Sequence, residues 1–457
     1  MSQPQPLPLV TPLANRYQST TVDARLINCF AEQGASEREY FVYKRPGFKL
    51  RSTIAAGTAR GLTNWSGSLY AIIDGTLYKD GVSLGAVANS GRYDFTPCLG
   101  ATPVLFFKND TNAYTVNAGG TITAVTDADY PAATVAGAVY LDGTTYVVDS
   151  KSNVYGSLAA GNDPTNWDPL NKIVAQIEPT AAVAMAKQLV YVVVMKQFYT
   201  ECFYDAGNAT GSPLAPVQGA KMNFGCIDAR TVKDVGGDLA WVANTGEGSP
   251  CGVLLSSLKL DVITNPALDR LLESMDLTTI YSWGARIEGH RFYGLTSTVS
   301  NRTLVFDLTT RVWYLWADPA GNYLPYAFSA PDNVGNKAVF LHESTGQLFN
   351  LDVTTYGDNG VPFQADIYTP NFDGDTRREK SLGRLDIIGD VVASTLSLEF
   401  SDDDYQTWTS AGTADLSNPR PSFADLGSFY RRAFHFYHRA DTAFRVRSAE
   451  LVLDVGP

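Results

Sequence analysis

The sequence predicts an all-β chain: a β-propeller of six or seven blades, preceded by an extended N-terminal arm and followed by a C-terminal β-sandwich. Three observations carry this. Short apolar hairpins recur about every 35 to 50 residues, the period of radially stacked four-stranded sheets. The composition is aromatic and sparsely charged, with 24 Tyr, 22 Phe and 7 Trp but only 18% charged residues. The strand spacing changes near residue 360.

Taken in order, residues 1–35 begin rich in Pro and Gln without clear periodicity. They read as an arm that packs over a neighbouring domain or subunit, or as a partly disordered tail. The propeller spans 36–360. Its hairpins begin with Leu69–Tyr78, turning at Asp74-Gly75, then Val104–Tyr114 and Ala138–Val148, turning at Asp142-Gly143. Further pairs are Leu189–Met195 with Thr200–Tyr204, Leu239–Ala243 with Gly252–Leu255, His290–Leu295 with Arg302–Phe306, and Ala338–His342 with Gln347–Asn350. A single hairpin cannot bury both faces, whereas blades in a ring cover one another. A run of unrelated sandwich hairpins is the alternative.

One helix interrupts the pattern. Asn265 caps it, Pro266 takes the first position, and Leu268, Leu271, Leu272 and Met275 recur at helical spacing. From 361 to 457, strands such as Leu382–Ile388, Leu396–Phe400, Ala433–Tyr437 and Phe444–Leu453 lack the blade period and predict a separate sandwich.

Charge and motifs exclude several function classes. Lys plus Arg number 35 against 47 Asp plus Glu, a formal charge of −12, with no basic patch to neutralise phosphates or anionic lipid. The five cysteines are scattered, so neither a disulfide framework nor a zinc site is predicted. Met1–Val10 lacks the basic start of a signal peptide, and the longest apolar run, Leu189–Met195, is far too short to span a bilayer. Gly81-Val-Ser-Leu-Gly85 matches the hydrolase elbow literally but lacks the following helix, so a turn is expected. Asp373/Asp375 and Asp402–Asp404 have the residue type for calcium but not the EF-hand spacing. Ser401-x-Asp403-x-Tyr405-x-Thr407-Trp408 follows the Asp-box pattern with Tyr405 in place of Gly, a folding device of sialidases and of many non-enzymes. No catalytic residue, metal or cofactor is assigned.

Several stretches, in order, carry a family resemblance. Arg25-Leu-Ile-Asn-Cys-Phe-Ala-Glu32 is followed by Lys44-Arg-Pro-Gly-Phe48 and Ala59-Arg-Gly61, then by Asp163-Pro-Thr-Asn-Trp-Asp-Pro-Leu170, Phe224-Gly-Cys226, Glu288-Gly-His-Arg-Phe-Tyr293 and Thr303–Trp313. Across residues 20–350 the chain resembles the tail hub, or nozzle, proteins of short-tailed bacteriophages, also called packaged-DNA stabilisation proteins. The resemblance implies a structural virion protein, assembled in the host cytoplasm, that forms a homo-hexameric ring below the portal and its adaptor. It further implies docking of tail fibres, tailspikes, or a plug or needle, and passage of genomic DNA through the lumen without sequence-specific binding. No enzyme activity, cofactor or membrane binding is implied. Interface candidates are Pro4 and Leu9 on the arm (Met1 to about Thr20), Asp163 and Trp167 in the following loop, Pro266 and Leu268 on the helix, and Trp408. The alternative reading is a carbohydrate-binding or glycan-hydrolysing propeller protein, motivated by the Asp-box-like hairpin and the aromatic residues.

Overall fold

The computed structural model describes residues 4–11, 13, 23–34, 40–100, 102–158, 163–332 and 337–456. The fold is all-β with a propeller at its centre, as the hairpin period predicts. Blade 1 is the antiparallel meander Ala59–Trp65, Ser68–Ile73, Thr76–Lys79 and Val82–Ala86. Blades 2 to 5 repeat it at residues 94–124, 139–174, 182–216 and 233–262. Blade 6, residues 280–316, has the same four strands but continues into a nine-stranded sheet. Blade 7 takes three strands from 326–352 and its outermost strand, Gly47–Thr53, from before blade 1. That exchange closes the ring through a ladder of backbone hydrogen bonds.

The turns follow from local chemistry. Asp74 and Gly75 have φ of 42° and 75°, and Asp142 and Gly143 have 44° and 92°, the left-handed pair of a tight hairpin turn. Gly81, at φ 84°, opens the next turn, and Ser83 lies exposed on an outer strand, so the Gly-x-Ser-x-Gly match is a hairpin. The second strand of each blade is buried on both faces, which is why it reads as a continuous apolar run. Each core cluster is shared by two neighbours: Ile72 and Leu105 between blades 1 and 2, Val148 and Val192 between 3 and 4, Met195 and Trp241 between 4 and 5.

The predicted helix forms at Pro266–Ser274. Asn265 accepts a hydrogen bond from the Leu268 N–H (3.0 Å), and Leu268, Leu271 and Leu272 seal blade 5 against blade 6.

The axis is filled. Lys233, on the innermost strand of blade 5, donates to the Ser329 carbonyl of blade 7 (3.0 Å), and Arg92, entering blade 2, stacks on Phe328 (4.1 Å). Burial first, and their mutual repulsion among the remaining causes, lowers Lys233 to about 8, while burial lowers Arg92 to about 10.

The ends of the chain differ from the sequence reading. The described parts of 1–35 are strands within the sandwich and not an arm laid over it, and 361–457 does not build its domain alone. Gln5–Leu7 pairs with Arg445–Val455, and Cys29–Gln33 and Tyr40–Lys44 join the same sheet with Lys380–Gly389. Arg25–Ile27 joins the facing sheet with Ala365–Tyr368, Ala433–His438, Thr395–Ser401 and Thr409–Asp415. The reason is core volume. Leu7, Leu26, Phe30 and Val42 supply apolar bulk that packs with Leu385, Phe436 and Leu451. Strands of three residues show no readable alternation. Residues 1–3, 12, 14–22 and 35 of the expected arm lie outside the described residues.

Leu268 is 1% exposed, so Leu268→Ala should lower unfolding stability by about 2–5 kcal/mol in urea titration, whereas exposed Pro266→Ala should change it by less than about 1 kcal/mol.

Candidate functional site at the propeller–sandwich junction

The two stretches that carry the family resemblance near the N-terminus meet at one buried guanidinium. Arg45 uses all its N–H groups: Nε to Asn28 Oδ1 (2.9 Å), Nη1 to Pro46 O (3.0 Å) and Asp358 Oδ1 (2.9 Å), Nη2 to Ala317 O (2.8 Å) and Asp358 Oδ2 (2.7 Å). Asp358 also accepts from the Phe48 N–H (2.9 Å). Asn28, at φ 53°, completes the hub by donating to Gln364 O (2.8 Å) and accepting from the Ala317 N–H (2.8 Å).

The neighbours of Arg45 are equally committed. Lys44 donates to the Phe363 and Ala440 carbonyls (3.0 and 2.8 Å), and burial lowers its pKa to about 8. Gly47 approaches Gly357 so closely that an added Cβ would lie 2.1 Å from the Gly357 oxygen. Phe48 packs on Tyr326 and Phe340 with ring centroids 4.2 and 5.1 Å away. Lys44-Arg-Pro-Gly-Phe48 thus joins sandwich, blade 6 and closing strand.

Above this hub lies a groove of about 710 Å³ between the blade 6 loops and the sandwich. The Arg25 guanidinium sits 3.7 Å over the Tyr368 ring, whose other face stacks on His435 at 3.8 Å. His435 is held between Asp366 (2.8 Å) and Glu399 (3.1 Å). Trp408 meets Tyr368 and His435 edge-on, each at 5.5 Å. Arg302, Asn322 and Asp318 line the opposite wall.

Trp408 is positioned by the Asp-box turn. Asp403 accepts from the Ser401 hydroxyl (2.8 Å), the Thr407 N–H (2.9 Å) and the Thr407 hydroxyl (2.5 Å), and these bonds hold its carboxyl down at about 2. Tyr405 takes the glycine position at φ 67° and is anchored by its hydroxyl, which donates to Thr369 O (2.8 Å). The flanking acids are also engaged, Asp402 by a fork from Arg432 (2.7 and 2.8 Å) and Asp404 by Arg431. Among the described residues no cluster of three or more His, Cys, Asp or Glu is placed to hold a metal. All five cysteines are free and buried; burial pushes Cys98 and Cys251 up to about 11 and Cys202 and Cys226 to about 12.

The sequence-predicted interface residues do not converge. Pro4 and Pro266 are exposed at distant places, and Leu9 and Leu268 are core. Asp163 caps its own turn, accepting from the Thr165 N–H (2.9 Å), while Trp167 is buried and donates to Pro164 O (3.0 Å). Only Trp408 reaches the groove. The functional residues missed are Arg45, Asn28 and Asp358 at the hub and Arg25, Arg302 and Tyr368 in the groove. Arg45, Asn28 and Arg25 lay inside the recognised stretches.

With this geometry in hand, comparison with known proteins is informative. The sequence matches the family model described as bacteriophage P22 Gp10, beta-propeller (phage stabilisation), over residues 7–356.

The chain belongs to the phage stabilisation family.

The match runs from the end of the first sandwich strand through blade 7 and includes both hub stretches, so the chain is a bacteriophage structural protein. No curated protein matches the sequence. Similar solved structures include virginiamycin B lyase from Staphylococcus aureus (8% identity, TM-score 0.43, covering 66% of this chain and 99% of that one) and the WD40 propeller of Doa1 (10%, 0.42, 67% and 97%). The computationally designed protein Ika8 is similar at 12% identity and TM-score 0.41, covering 68% of this chain and all of that one.

Two outcomes follow from the hub. Arg45→Ala leaves Asp358 buried without its partner and should cost about 3–5 kcal/mol in denaturant unfolding. Beside the hub, burial, with the Lys44 charge second, lowers His438 from 6.5 to about 4. The unfolded chain therefore takes up this proton near pH 6.5 and the folded chain only near pH 4. Stability should fall by about 3 kcal/mol as pH drops through that window and His438→Gln should flatten the fall, measured by unfolding at each pH.

Proposed function

We propose that this chain is the tail hub, or nozzle, of a short-tailed phage, with six copies forming a ring below the portal and its adaptor. The ring continues the DNA exit channel, retains packaged DNA, and carries tail fibres or spikes and a plug or needle. The single observation that supports the reading most is the family match over residues 7–356.

The physical character of the chain agrees with a mechanical role. Arg45 and Asn28 lock propeller and sandwich together, so load applied to one is carried by the other. Six copies at −12 each carry a formal charge of −72. Turned toward the lumen, that charge repels the DNA backbone and lets it slide.

Native mass spectrometry of the purified protein with the matching portal–adaptor complex tests this. Six copies bound to the adaptor end are expected. A chain that stays monomeric beside the complex and turns over glycan would overturn the proposal and favour the carbohydrate-active reading.

A further inference from the structure

The junction groove holds an unbalanced feature that the structural role does not use. Arg302 is half-buried, yet among the described residues no carboxylate pairs with it. Burial, and then the charge of Arg25, disfavour its cation. Arg302 thus faces a second guanidinium across the groove without a carboxylate of its own, a cost in free energy that a bound anion returns.

The other groups on the walls narrow the ligand class. Asp318 and Asp366, each held by its own hydrogen bonds, line the same groove, so a polyanion such as nucleic acid or an acidic peptide meets carboxylates beside the arginines and gains little. Half-buried Trp408 offers an indole to an apolar ring face, and Asn322 and Asp366 offer amide and carboxylate to hydroxyls. A groove of about 710 Å³ is within the range of small-molecule sites. We infer that this groove binds a carboxylated saccharide, Arg25 and Arg302 gripping its carboxylate while Trp408 packs on the sugar ring. The inference does not depend on ring assembly.

The six other tryptophans, Trp65, Trp167, Trp241, Trp283, Trp313 and Trp316, are all buried, so collisional quenching of fluorescence reports chiefly on Trp408. The full-length protein is titrated at low salt with trigalacturonate and with sialyllactose, which separate uronic from sialic acids as the source of the carboxylate. Lactose and triglutamate serve as the neutral and the peptide comparison. At least one acidic saccharide should bind by calorimetry and protect Trp408 from acrylamide, with lactose and triglutamate at least about tenfold weaker. Arg302→Gln should weaken binding about tenfold or more while leaving the melting temperature unchanged, since Arg302 has no ion pair to lose. The inference is overturned if neither acidic saccharide binds, if lactose or triglutamate binds as tightly, or if binding leaves Trp408 equally quenchable. Unchanged affinity in a folded Arg302→Gln protein would overturn it too.

Discussion

Everything in this fold is referred to one fully buried guanidinium. Arg45 holds Asn28 from the N-terminal strands, Ala317 from the end of blade 6, and Asp358 from the segment after blade 7. A buried ion pair is a weak source of net stability, because desolvation offsets most of the attraction. Its value here is discrimination. Any other docking of sandwich on propeller strands Asp358 in an apolar surround, so one arrangement is selected at the expense of the rest.

That constraint explains the chain's topology. The sandwich takes strands from both ends, and the propeller is inserted between them, with Pro46 and Gly47 forming the passage from one to the other. Blades 1 to 6 are local meanders whose contacts form between near neighbours in sequence. The closing ladder, where Gly47–Thr53 meets Gln347–Asp352, joins residues about three hundred positions apart. Closure and docking therefore share one switch point, and Gly357 leaves no room there for a side chain at position 47.

Much of the propeller was legible because its second strands are buried on both faces. Val104–Phe107 and Tyr191–Met195 are unbroken apolar runs, and Asp74-Gly75 announces its turn. Outer strands such as Lys259–Val262 and Ile122–Ala124 were not, since exposure removes the pattern. The share of the sandwich drawn from residues 5–44 was also hidden, because Leu7, Leu26 and Val42 find their partners more than three hundred positions away. The Asp-box was readable down to its hydrogen bonds, yet nothing local told that Trp408 would face Arg302. The groove exists only once blade 6 and the sandwich are docked.

The side chains that bridge distant blades have their own consequence. Lys233 reaches from blade 5 to blade 7 and Arg92 crosses from blade 2, so side chains occupy the space inside the ring of blades. In the ring proposed above, DNA would pass between subunits and not through any one of them, each chain standing as one stave of a barrel. The width of that conduit is then set by how many staves stand together, not by the number of blades in any of them.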